Sequence, residues 1–188
     1  MSKRVFIIHG WEGTPDSNWF PWIKNELEKK DFEVAVPLMP NADFPIMDEW
    51  VAHLQKIVEK PDENTYLVGH SLGVAAILRY LESLSAGKKI GGAILVAGVA
   101  KSIGIKELEN FFTKNFDYGK IKKAVKHMVV VNSDNDPYIP MEHGEILRDK
   151  LGAKLIVIPN GEHLNAGNGF FEFPLVFEEV LKMSGENS

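Results

Sequence analysis

Six short apolar runs rich in β-branched residues punctuate the chain at 4–9, 32–36, 65–69, 92–97, 128–132 and 154–158. Several are apolar at consecutive positions, not alternate ones, as strands buried on both faces require. Stretches of helical periodicity separate them. Residues 22–30 carry Ile23 and Leu27, and 47–59 carry Trp50, Val51, Leu54, Ile57 and Val58 at helical spacing. Further helices are expected over 74–84, 142–151 and 170–183. Strand and helix in alternation give parallel pairing with right-handed crossovers. The expected architecture is α/β, a three-layer α/β/α sandwich around a mainly parallel sheet of about six strands. A chain of 188 residues fits one domain. We place it over 1–183, with 184–188 as a flexible tail.

Composition excludes several classes. The formal net charge of −5 comes without the basic stripe of a nucleic-acid binder. Lys120, Lys122, Lys123 and Lys126 cluster, but Ile121, Ala124 and Val125 between them make a solvated helix face. The chain has no cysteine, so disulfides, thiolate metal sites and cysteine nucleophiles drop out. Lys3 and Arg4 before an apolar run imitate a signal peptide, yet the run stops at His9-Gly10. No stretch is long enough to span a membrane. A cytoplasmic protein without membrane or nucleic-acid partners is expected. No metal-ligand cluster appears, and Gly10 and Gly13 lack the third glycine of a dinucleotide fingerprint. No cofactor is expected.

The chemistry concentrates in the segment 65–76. Gly69, Ser71 and Gly73 form G-x-S-x-G between a buried-strand run and an Ala-rich helical pattern. In this arrangement the serine occupies a sharp strand-to-helix turn. The flanking glycines let the chain fold back tightly, and the helix begins beneath the hydroxyl, where its free N–H groups favour negative charge. The motif is short, and its strand-to-helix context is what makes Ser71 a candidate nucleophile.

A serine hydroxyl needs a base, and the base needs an orienting carboxylate. Of the three later histidines, His127 opens a strand and His143 lies near a helix start. His163 follows the run 154–158, and catalytic groups of open parallel sheets gather at the carboxyl ends of strands. His163 is the expected base. The acid should follow the run 128–132, where Asp134 and Asp136 compete. Asp134 suits turn capping. Asp136 precedes Pro137, which biases it to an extended conformation aimed along the sheet edge, and is preferred. For the oxyanion, the N–H of Leu72 supplies one donor and that of Trp11, after Gly10, the second. His9 braces this loop, and His70 packs locally beside the site. Trp11, Trp19, Phe20 and Trp22 are expected to overhang the nucleophile, with Trp11, Trp19 and His70 as substrate-binding candidates. Residues 101–126 carry Ile105, Leu108, Phe111, Phe112 and Phe116 at helical spacing and read as a crossover helix where a lid could otherwise sit.

Together the segments 9–13, 18–22, 69–73 and 133–140 and the late His163 resemble the small serine hydrolase family related to retinoblastoma-binding protein 9. The resemblance runs from about Val5 to the last helix. It implies a minimal α/β-hydrolase fold without a large lid domain, and a triad of Ser71, Asp136 and His163. Two departures stand out. Glu162 precedes the histidine where the family often has glycine. The L-x-C-x-E motif linked to retinoblastoma-protein docking is impossible without cysteine. The expected activity is hydrolysis of a small ester, thioester or amide, carboxylesterase-like or aminopeptidase-like, through an acyl-enzyme. Acyl transfer by the same triad and a non-catalytic interaction protein on a hydrolase scaffold are the alternatives.

Overall fold

The computed structural model describes residues 2–186. Six strands, β1 (Arg4–Ile8), β2 (Glu33–Ala35), β3 (Thr65–His70), β4 (Ile90–Val96), β5 (Val125–Ser133) and β6 (Lys154–Ile158), form one sheet in the order β2-β1-β3-β4-β5-β6. Every pairing is parallel. All six runs of the sequence lie within or around these strands. Helices α1 (Phe20–Glu28) and α6 (Pro174–Ser184) cover one face. The other face carries α2 (Met47–Val58), α3 (Leu72–Ser83), α4 (Tyr118–Ala124) and α5 (Glu142–Leu151).

Alternate strand residues feed the two cores. Val5, Ile7, Val68, Ile94, Val96, Val129 and Val131 pack under α1 and α6. Phe6, Ile8, Leu67, Ala93, Leu95 and Val130 pack under the other helices. Burial on both faces is why the strands read as continuous apolar runs. Helix α3 is buried from Leu72 to Leu81, because the sheet lies beneath it and α2 and α4 flank it. The result is the minimal α/β-hydrolase fold. Among the described residues no helix is long and apolar enough to cross a membrane.

Residues 101–126 do not form the single crossover helix expected from their periodicity. They give a 3-10 turn (Lys106–Phe111) and the short α4. Arg79 of α3 supplies the reason. Its buried guanidinium donates to the carbonyls of Phe111 and Lys114, pairs with Glu82 at 2.8 Å and lies 4.0 Å from the centre of the Phe116 ring. Carbonyls that would continue a helix are drawn to this side chain instead. At the other end of the chain, Ser184 is the last residue of α6, the N–H groups of Gly185 and Glu186 close back on Lys182 and Leu181, and Glu186 pairs with Lys3. Of the segment expected to fray, 184–186 is therefore tied to the body of the fold. Asn187 and Ser188 lie outside the described residues.

Candidate active site

Ser71 connects β3 to α3 with φ 56° and ψ −120°, a backbone region costly for a residue with a side chain. Two contacts enforce it. The Ser71 N–H extends the sheet to the Val96 carbonyl at 2.9 Å, and the Ser71 carbonyl accepts from Val74 at 3.1 Å to begin the helix. A Cβ at Gly73 would overlap the Ile8 carbonyl oxygen and lie 2.7 Å from that of His9, so only glycine lets α3 seat this closely on β1. The Ser71 side chain does not cap the helix and is half-buried.

The loop after β1 passes directly over the serine. A Cβ at Gly10 would sit 2.9 Å from the Ser71 Cβ and 3.4 Å from its Oγ, and Trp11 is the next residue along the chain. His9 braces this loop. Its Nε2 accepts from the Met39 N–H at 3.0 Å, so Nδ1 carries the proton and donates to the Gly10 carbonyl at 2.7 Å. Burial holds the His9 pKa below its ordinary value. The Trp11 indole N–H donates to the Asp43 carbonyl at 2.9 Å. Among the described residues neither the Leu72 N–H, at the first position of α3, nor the Trp11 N–H meets an internal acceptor.

Asp136 and His163 meet across the ends of β5 and β6. His163 Nδ1 donates to Asp136 Oδ2 at 2.8 Å, and the carboxylate is fully buried. Asp136 Oδ1 accepts from the N–H groups of Tyr138 and Ile139, both at 2.9 Å. Three hydrogen bonds of this kind satisfy both oxygens of the buried carboxylate. Asp134 does something else. Its exposed carboxylate accepts from the Asn160 N–H at 2.8 Å and fastens one loop to the next.

His70, the residue before Ser71, reaches this pair. Its Nε2–H donates to the His163 carbonyl at 2.9 Å, and the two rings lie 4.9 Å apart. Burial, with the charge of a protonated His163 second, pushes the His70 pKa down to about 3. His70 is therefore a neutral strut between β3 and the loop that carries His163. Among the described residues no hydrogen bond closes between the Ser71 hydroxyl and the His163 ring.

The loop 160–164 is strained and heavily held. Asn160, Glu162 and Leu164 have φ of 55°, 49° and 52°, a region that asparagine visits but that costs about 1–2 kcal/mol at each of Glu162 and Leu164. The N–H groups of Asn160, Gly161, Glu162 and His163 donate to side-chain oxygens of Asp134, Ser133, Asn135 and Asn168 in turn. The Leu164 carbonyl accepts from the Trp19 indole at 3.1 Å.

A family model described as serine hydrolase matches residues 5–182. The chain belongs to the serine hydrolase family. YdeN of Bacillus subtilis is 37% identical over 179 residues, covering 95% of this chain and 94% of the relative. The crystal structure of the ydeN gene product superposes with a TM-score of 0.94 at 35% identity, over 98% of this chain and 100% of that one. Serine hydrolase RBBP9 of Rattus norvegicus is 26% identical over 184 residues, covering 96% of each. This serine hydrolase is thus related to RBBP9 along its whole fold.

The serine hydrolase brings Ser71, Asp136, His163, Trp11 and Leu72 to one edge of the sheet. Two expectations for the pocket are corrected. Trp19 does not line a substrate site. It is fully buried, edge-on to Phe20, His70 and Phe173, because the first turn of α1 faces the sheet and Leu164 satisfies the indole. Phe20 is likewise buried, and Trp22 packs on Phe177 of α6. His70, also expected to touch substrate, is buried with its N–H spent on His163. Of the aromatic group, Trp11 is half-exposed and follows Gly10, whose backbone approaches Ser71. Tyr138, exposed and edge-on 5.1 Å from the His163 ring, is a rim residue the sequence did not single out. Nor did it single out Ser133 and Asn135, although both stand in the loop that carries Asp136.

Proposed function

We propose that this hydrolase cleaves a small ester, thioester or amide through an acyl-enzyme on Ser71, with His163 as general base and acid and Asp136 as its orienting carboxylate. The observation that carries the reading is the 2.8 Å contact of His163 Nδ1 with buried Asp136, in a loop held by His70, the residue before the serine. With Nδ1–H committed to Asp136, Nε2 is the nitrogen free to take the Ser71 proton. Ser71 Oγ attacks the carbonyl carbon, and the Leu72 and Trp11 N–H groups receive the oxyanion. The imidazolium then protonates the leaving alcohol, thiol or amine. Water attacks the acyl-enzyme, giving its proton to His163, and Ser71 leaves as the regenerated hydroxyl. The neutrality of His70 matters here, since a second cation so close would oppose charging of His163.

The test is reaction with a fluorophosphonate probe, followed by a panel of p-nitrophenyl esters and aminoacyl amides. Labelling and turnover should both vanish in Ser71→Ala. The panel separates carboxylesterase-like from aminopeptidase-like action. Turnover retained in Ser71→Ala within tenfold of wild type overturns the reading.

A further inference from the structure

We propose that Ser133 and Asn135 are positioning residues for the base, through which the loop that presents Asp136 also fixes the backbone beneath His163. This inference rests on the triad reading above. It starts from a conflict in the base loop. Three of the five residues 160–164 have positive φ without being glycine, and His163 stands between two of them. A loop so disposed relaxes unless its surroundings over-determine it.

The restraint comes from one short stretch of chain. Ser133, the last residue of β5, is buried, and its Oγ accepts from the Gly161 N–H at 3.0 Å. The same hydroxyl donates its proton to Asn135 Oδ1 at 2.7 Å. That oxygen in turn accepts from the Glu162 N–H at 2.8 Å. The Ser133 hydroxyl thus aims the Asn135 amide, and the two hold consecutive N–H groups immediately before the base. The next residue, Asp136, receives the His163 ring. Acid and base share one short support: any shift of 161–162 relative to 133–135 shows up directly in the His163–Asp136 contact. The opposite side is held by His70 on the His163 carbonyl and Asn168 on its N–H. Without Ser133 and Asn135, strain on the near side goes unopposed, and Gly161 is left a buried N–H without an acceptor.

A positional role makes a specific set of demands. Ser133→Ala and Asn135→Ala should each lower kcat about 10- to 100-fold, the effect of displacing a reacting group by a fraction of its working distance. KM should stay within about twofold, because neither side chain belongs to the proposed substrate surface. The rate of fluorophosphonate labelling at Ser71 should fall with kcat. Asn135→Asp keeps an oxygen that accepts from both Glu162 and Ser133, and should restore most of the activity lost in Asn135→Ala. Asn135 is exposed, so its variants remain foldable even if Ser133→Ala does not. Amide hydrogen exchange across 159–165 provides a readout independent of turnover: protected in wild type and Asn135→Asp, faster in both alanine variants. Exposed exchange of this loop in the wild-type protein overturns the clamp. So does kcat within twofold of wild type in Asn135→Ala, provided Ser71→Ala is inactive. If Ser71→Ala is itself active, the triad reading fails, and the exchange comparison still decides whether the clamp exists.

Discussion

At Ser71 the demands of chemistry and of backbone comfort oppose each other. Its φ of 56° and ψ of −120° suit glycine, yet only a side chain with a hydroxyl serves the proposed reaction. Ser71→Ala should therefore fold normally and lose about 10⁴- to 10⁶-fold in kcat. Ser71→Gly should be equally inactive but more stable than Ser71→Ala by about 1 kcal/mol, read from urea midpoints. Equal stabilities would show that the turn stores no strain at this residue. The two neighbouring aspartates make a second contrast. Asp136→Asn keeps the shape and removes the charge that meets His163, and should cost on the order of 10⁴ in kcat. Asp134→Asn retains an oxygen for the Asn160 N–H and should stay within a few-fold of wild type. A crippled Asp134→Asn beside a near-normal Asp136→Asn would transfer the acid role to Asp134. The contact of Asp136 with His163 was legible because Asp136 precedes Pro137 beyond a strand end. The Ser133–Asn135 support was not, since its partners Gly161 and Glu162 lie 28 and 27 residues away and a serine or asparagine at a strand end reads as ordinary turn chemistry.

At the scale of elements, the decisive seat is that of α3 on β1. Gly73→Ala would drive a methyl into the Ile8 and His9 carbonyls, which are backbone and cannot swing aside. The variant should lose roughly 3 kcal/mol or more of stability. It should also lose activity out of proportion to its folded fraction, because α3 carries the Leu72 N–H and its start fixes Ser71. Wild-type stability in Gly73→Ala would mean that the helix can shift without cost. The sequence displayed this seat as a glycine two residues past the serine. Element edges were less legible, for local reasons. β4 starts at Ile90 and β5 at Val125, earlier than their apolar runs, since Gly92 pairs with His127 and Ile90 with Val125. Glycines and polar residues there resemble loop, and only the neighbouring strand makes them sheet. Helix α6 starts at Pro174, leaving buried Phe173 as a loop residue that the helical periodicity had absorbed. The segment 101–126 fails to become one helix because a buried arginine on another element takes its carbonyls, which no pattern within the segment reveals.

For the molecule as a whole, three buried histidines couple its stability to acid. His9, His70 and His143 lie at the ends of β1, β3 and the start of α5, and each has a ring nitrogen committed to a backbone group: Gly10 and Met39, His163, and the Ala100 N–H respectively. Burial lowers the pKa of all three, that of His70 to about 3. In the unfolded chain a histidine titrates near 6.5. Between about 6.5 and 3 the unfolded state therefore binds a proton at position 70 that the folded state refuses. Stability must rise with pH across that window and fall as the solution is acidified through it. The charges nearest His70 act in opposite senses. A protonated His163 deepens the effect and Asp136 opposes it, but desolvation is the largest cause, so the direction is set by burial. His70→Gln isolates the contribution. Its amide N–H can still donate to the His163 carbonyl, and glutamine does not titrate. Urea midpoints measured from pH 7 to pH 4 should fall for both proteins, since His9 and His143 remain, but less steeply for His70→Gln, by up to about one proton's worth of slope. Parallel curves would mean that His70 is protonated in the folded protein at these pH values. The bond from Nε2 to His163 would survive that protonation, so the neutral strut assigned to His70 would have to be replaced by a charged one, set against the base it supports.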